Sequence, residues 1–210
     1  MLVVHHLNNS RSQRILWLLE ELALDYEIKR YERNPENLLA PESLRAVHPL
    51  GKSPVITDDS LTLAESGAII EYIIDRYSNG KLAPPRDTAA WWQYIYWLHY
   101  AEGSAMSWLL NKLILQRFEL GDNSVSTQLV SPQVKTHFDY MESELSKRTW
   151  FVGEEFTAAD IAMSFPLELA EALSGLEPSY PQLQSFLDRI HARPAYKKAL
   201  ERGGEYNLLY

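Results

Sequence analysis

Apolar positions change period several times along the first eighty residues. Residues 2–6 form a short β-branched run that ends at the polar cluster Asn8-Asn9-Ser10. Ile15, Leu18, Leu19 and Leu22 then recur at i, i+3, i+4 and i+7, which predicts an amphipathic helix. Residues 26–31 return to period-two alternation, with Tyr26 and Ile28 opposite Glu27 and Lys29. Together these predict a βαβ unit with a right-handed crossover and parallel strands. A loop with a short helix near 41–47 leads to His48-Pro49-Leu50-Gly51-Lys52-Ser53-Pro54. Two short strands, 55–57 and 61–63, flank the turn signal Asp58-Asp59-Ser60 and predict a hairpin. Ile69, Ile70, Ile73, Ile74 and Tyr77 mark another amphipathic helix.

Residues 78–85 (Ser-Asn-Gly-Lys-Leu-Ala-Pro-Pro) break the pattern and predict a linker. Beyond it the periodicity is helical throughout. Asp87 or Thr88 is placed to cap a helix whose apolar positions, from Trp91 through Leu98 and Leu109, continue almost to Phe118; its length predicts a bend at Gly103. A second helix ends near Lys147. Thr157 and Asp160 then have capping-box spacing, a structural role, and Pro166 predicts a kink in the helix they open. One last helix over 185–202 ends at Gly203-Gly204, before the aromatic tail 205–210. The pattern predicts two domains: a mixed α/β domain at 1–80 and an all-helical domain at 87–210.

Composition narrows the chemistry. The 210 residues include no cysteine, which excludes disulfides, Cys-ligated zinc, CxxC redox chemistry and a protein thiol nucleophile. The formal net charge is −8, and the acidic excess is spread evenly: 8 basic against 12 acidic residues up to Gly80, 12 against 16 after it. A nucleic-acid backbone would call for the opposite sign. Six scattered histidines show no metal-ligand spacing, and adjacent His5 and His6 would point to opposite faces of a strand. The apolar N-terminal run is too short for a signal sequence or a membrane span, so a cytoplasmic enzyme or binding protein is expected.

The order β-α-β-α-β-β-α is the thioredoxin-like arrangement. With a proline-containing linker and an all-α second domain, the chain resembles the cytosolic glutathione transferases. Four motifs carry the resemblance along essentially the whole chain. Ser10-Arg11-Ser12-Gln13-Arg14-Ile15 looks like the serine-bearing start of the family's first helix, as in theta- and phi-like or bacterial and fungal subgroups. Residues 48–55 look like its NPxGxVP loop, with His48 where many relatives have asparagine. Residues 63–69 are similar to its ESxAI motif, and 156–161 match its helical-domain capping motif.

The resemblance implies a site built around a borrowed thiol. A free thiol with pKa about 8.5 is only a few per cent ionised at neutral pH, so an enzyme that uses it needs donors and a positive field at the sulfur. A helix N-terminus supplies both. Ser10 is the expected thiolate-stabilising residue, with Asn9 and Ser12 as rivals; Ser10 and Gln13 also have the spacing of a capping box. The tyrosine that other classes use at the end of the first strand is replaced by His5-His6-Leu7. Ser66 and Glu65 are expected to hold the γ-glutamyl carboxylate and ammonium, Val55 after a cis Pro54 the cysteinyl backbone, and Lys52 the glycyl carboxylate. Tyr100, Ser104 and Trp108, midway along the long helix, are expected to line the electrophile pocket, over which the tail could fold. The implied activity is conjugation of glutathione, as co-substrate, to a small apolar electrophile by a homodimer that needs no metal. The alternatives are a glutathione-dependent peroxidase or disulfide reductase on the same fold, or a non-catalytic interaction protein.

Overall fold

The computed structural model describes residues 1–117, 126–176 and 178–209. The elements begin β1 (Val3–Leu7), α1 (Ser12–Glu21), β2 (Glu27–Tyr31), α2 (Glu42–Arg45), β3 (Val55–Asp58), β4 (Leu61–Ala64) and α3 (Ser66–Tyr77). They continue with α4 (Ala89–Tyr100), α5 (Met106–Arg117), α6 (Ser131–Leu145), α7 (Ala158–Ser174), α8 (Pro181–Ala192) and α9 (Pro194–Gly203). The chain divides into two compact units, Met1–Leu82 with His191–Tyr210, and Ala83–Ile190.

The first unit is built on a four-stranded sheet in the order β2-β1-β3-β4. β1 and β2 are parallel, as a crossover through α1 requires; β3 runs antiparallel to β1 and to β4. Asp59, at φ 51°, and Ser60 close the β3–β4 hairpin, whose twist favours positive φ. This is the thioredoxin-like arrangement the periodicity predicts. α1 departs from a simple stripe: every residue from Ser12 to Leu19 is buried, because the helix packs against β1, α3 and α9. Each aliphatic side chain so enclosed contributes about 1.5–3 kcal/mol.

The last helix differs from expectation. The segment 185–202 is not one helix but the end of α8 and most of α9, separated by Arg193 in extended conformation (φ −65°, ψ 131°). Pro194 forces the break, since it lacks an N–H and disfavours helical geometry in the residue before it. The break lets α9 lie against α1. There the Arg193 guanidinium grips Glu21 at 2.5 and 2.8 Å, Lys198 and Arg202 hold Glu20 at 2.6 and 2.7 Å, and Tyr196 meets Trp17 edge to face. A Cβ at Gly203 would fall 2.5 Å from Gln13 Oε1, so the glycine permits this approach, and Gly204 at φ 86° ends the helix. The final twenty residues therefore group with the first unit, whereas the pattern placed all of 87–210 in the helical domain.

In the second unit, α4 and α5 are joined through a π-helical stretch, Ala101–Ala105, centred on the Gly103 where a bend is expected. The expected end near Phe118 lies outside the described residues. α7 is the central helix: it runs through Pro166 and is buried from Ala158 to Ala170, packed against α4 and α5. Trp97 is fully buried among Tyr100, Tyr140 and Phe151. Thr157 and Asp160 form the expected capping box, and Asp160 Oδ1 also accepts the Phe151 N–H at 2.8 Å. Among the described residues no helix is long and apolar enough to cross a membrane.

Candidate active site

Three chain segments converge at one end of the sheet because of its register. His5, Val55 and Ala64 form one row across β1, β3 and β4. Beyond that row β1 runs on through His6 and Leu7 to the start of α1, β3 is entered through Lys52-Ser53-Pro54, and β4 leaves into Glu65 and α3. The Ser53–Pro54 bond is cis, as the resemblance implies. β3 pairs with β1 only as far as His5. The Ser53 hydroxyl covers the unpaired end of β1, donating to His5 O at 2.9 Å and accepting from Leu7 N at 3.3 Å.

The start of α1 is a chain of buried hydroxyls. Ser10 Oγ lies 2.7 Å from Leu7 O, to which it donates, and 2.8 Å from Ser12 Oγ. Ser12 Oγ lies 2.8 Å from His6 Nδ1, and its backbone N–H reaches Ser10 Oγ at 3.3 Å. The Ser10–Gln13 capping box is not formed, because the Ser10 hydroxyl is turned to Leu7 O and Ser12 and the helix start has no side-chain cap. Of the three candidate residues, Ser12 has no exposed surface, while Ser10 and Asn9 each retain 5%. Asn9 sits at φ 52°, and its Oδ1 accepts the Asn207 N–H at 2.6 Å. The tail thus lies on the Asn9 loop; Tyr210, its last residue, falls outside the described residues.

Around this chain the other expected contacts fall as follows. Val55 is buried at the first position of β3, and Ser66 is buried at the first position of α3. Glu65 precedes Ser66 at φ 71°, a left-handed conformation that a non-glycine residue adopts only when its surroundings hold it there. The side chains of Lys52 and Glu65 are exposed. In the second unit, Tyr100 is buried with its hydroxyl 2.6 Å from His137 Nδ1, and Ser104 and Trp108 are half-buried. Tyr100 is thereby a packing residue of the aromatic cluster before it is anything else.

Electrostatics at the helix start come from burial and the backbone dipole. Burial pushes the His6 imidazole down to about 4, Arg30 acts in the same direction and the Gly203 backbone opposes them, so the ring is neutral at pH 7. His5, on the opposite face, binds Tyr31 Oη at 2.9 Å, and burial also lowers its pKa. No three His, Asp or Glu side chains come together as a metal site among the described residues.

The model of the glutathione S-transferase N-terminal domain matches residues 1–75, and that of the C-terminal domain matches residues 123–194. The chain belongs to the glutathione S-transferase family. A glutathione S-transferase 3 of Schizosaccharomyces pombe is 34% identical over 96% of this chain and 88% of its own length. The solved structure of a glutathione S-transferase from Actinobacillus pleuropneumoniae is 41% identical, with a TM-score of 0.90 over 99% of this chain and 95% of that one. A family member from Pseudomonas fluorescens, solved with two glutathione molecules bound, is 25% identical, with a TM-score of 0.81 over 95% and 92%. The fold is the family's thioredoxin-like plus all-α architecture, and the chain is an enzyme of glutathione transfer.

His6 and Ser53 carry the geometry of this site without having been singled out by the sequence. Ser53 lies inside the proline loop, where Lys52 and Pro54 draw the attention. His6 had a weak signal of its own, a polar ring in an apolar strand, but nothing in the sequence pairs it with Ser12 six residues on.

Proposed function

We propose that the enzyme conjugates glutathione to a small apolar electrophile, with Ser10 as the donor that stabilises the thiolate. The observation that carries this reading is the Ser10 hydroxyl itself. It is held at the start of α1, 2.8 Å from Ser12 Oγ, and donates to the neutral Leu7 carbonyl, an acceptor that an anionic sulfur would outcompete. The helix dipole adds to the stabilisation. Exposed Lys52 and Glu65 suit the glycyl carboxylate and the γ-glutamyl ammonium, Ser66 at the start of α3 suits the γ-glutamyl carboxylate, and Val55 suits strand-like pairing with the cysteinyl segment. Tyr100, Ser104 and Trp108 are the proposed electrophile contacts. We place the enzyme in the cytoplasm, acting as a homodimer and without a metal. Trp92 and Tyr96 on α4, and Leu110 and Ile114 on α5, are exposed pairs at i, i+4 spacing, apolar surface that a second copy would cover.

Calorimetry with glutathione at millimolar concentration tests binding; absence of a signal overturns the proposal. Turnover with a halonitrobenzene, cumene hydroperoxide and a mixed disulfide tests the reaction type. Conjugation is expected to be the fastest of the three.

A further inference from the structure

We infer that His6, acting through Ser12, fixes the direction of the hydroxyl chain at the start of α1 and so makes Ser10 an obligate donor. The inference rests on the reading of Ser10 as the thiol's partner.

Three polar hydrogens share this chain, one each on His6, Ser12 and Ser10, and they cannot be placed independently. If the ring proton is on Nδ1, His6 donates to Ser12 Oγ at 2.8 Å, and Ser12 donates to Ser10 Oγ at 2.8 Å in preference to Leu7 O at 3.3 Å. The Ser12 backbone N–H, 3.3 Å away, takes the remaining acceptor position of Ser10. Ser10 can then only give its proton outward, to Leu7 O or to an anion that displaces it. If the proton is on Nε2 instead, Ser12 must donate to His6, and Ser12 Oγ becomes an acceptor that draws the Ser10 proton inward. The tautomer decides what Ser10 offers a ligand.

The surroundings favour the first arrangement. His6 Nε2 is buried without a hydrogen-bond partner among the described residues. A proton there would be a buried N–H with no acceptor at hydrogen-bonding distance, costlier than a buried lone pair, whereas a proton on Nδ1 finds Ser12 at 2.8 Å. The Gly203 backbone, which acts toward protonation of the ring, is the competing acceptor but makes no hydrogen bond to Nε2. Burial keeps the imidazole neutral, so one nitrogen must go without a proton. Neither His6 nor Ser12 touches the sulfur; both are positioning residues. Two hydrogen bonds in series toward a charged acceptor also polarise one another.

Two measurements on the full chain test this. Two-bond nitrogen–proton correlation of the labelled imidazoles should show His6 protonated at Nδ1; protonation at Nε2 overturns the inference. Titration of the thiol of bound glutathione should show its pKa raised by roughly half a unit to one unit in Ser12→Ala and in His6→Asn. Glutathione affinity measured at a pH below the bound thiol pKa should stay within about twofold, and Ser12→Thr should restore the thiol pKa. An unchanged thiol pKa in Ser12→Ala overturns the relay while leaving Ser10 in place, provided Ser10→Ala raises it. If Ser10→Ala leaves the thiol pKa unchanged as well, the assignment of Ser10 fails and the relay falls with it.

Discussion

Burial holds His6 neutral in the folded protein, and this has a cost on acidification. Its pKa is about 4 when folded against 6.5 for a free imidazole, so between those values the unfolded chain binds more protons. The His6 contribution is therefore complete above pH 6.5 and falls as the pH drops toward 4, by up to about 3 kcal/mol. Because Asp160 titrates with the opposite sign over much of this range, the loss should appear in urea unfolding as the difference between the pH profiles of the wild type and His6→Asn. Ser66→Ala should weaken glutathione binding by about tenfold, the worth of one hydrogen bond to a charged group; unaltered affinity by calorimetry would count against its assigned role. The serine and the proline loop were legible because their residue types and spacing survive in the sequence. The hydroxyl chain was not, since it depends on His6 and Ser12 meeting across a strand and a helix, a juxtaposition that only the packing of α1 on β1 creates.

The elements were easiest to read where chain chemistry and packing agree. The hairpin at Asp59, the π-helical turn at Gly103 and the capping box of α7 all stand where the sequence signals are. Asp160 is fully enclosed, and burial raises its carboxyl to about 6 while the Phe151 and Thr157 N–H groups act the other way. Its titration has the opposite sign to that of His6: the contribution is present below pH 3.8 and lost as the pH rises through 6. Asp160→Ala orphans both buried donors and should lower stability by about 3 kcal/mol, measured by denaturant unfolding. The division between α8 and α9 was signalled by Pro194 but masked by apolar positions on both sides. Those positions belong to two helices that bury their faces in different units.

At the scale of the whole molecule, the units divide at Leu82 and Ala83, within the segment 78–85 where the hydrophobic pattern breaks. The return of the chain to the first unit was not legible. It rests on charge pairs more than 170 residues apart, Arg193 with Glu21 and Arg202 with Glu20, and no local pattern announces them. The exposed apolar residues of α4 and α5 predict a dimer in sedimentation equilibrium, dissociated by charged substitutions such as Trp92→Glu with Tyr96→Lys. The lack of cysteine in all 210 residues makes the central claim specific: the reactive sulfur comes with the co-substrate. The most direct test is the ultraviolet thiolate absorbance of bound glutathione, titrated in the wild type and in Ser10→Ala. The wild-type thiol pKa is expected well below the free value of about 8.5, with a return of one unit or more toward it in the variant; equal thiol pKa values in the two proteins would contradict the role of Ser10.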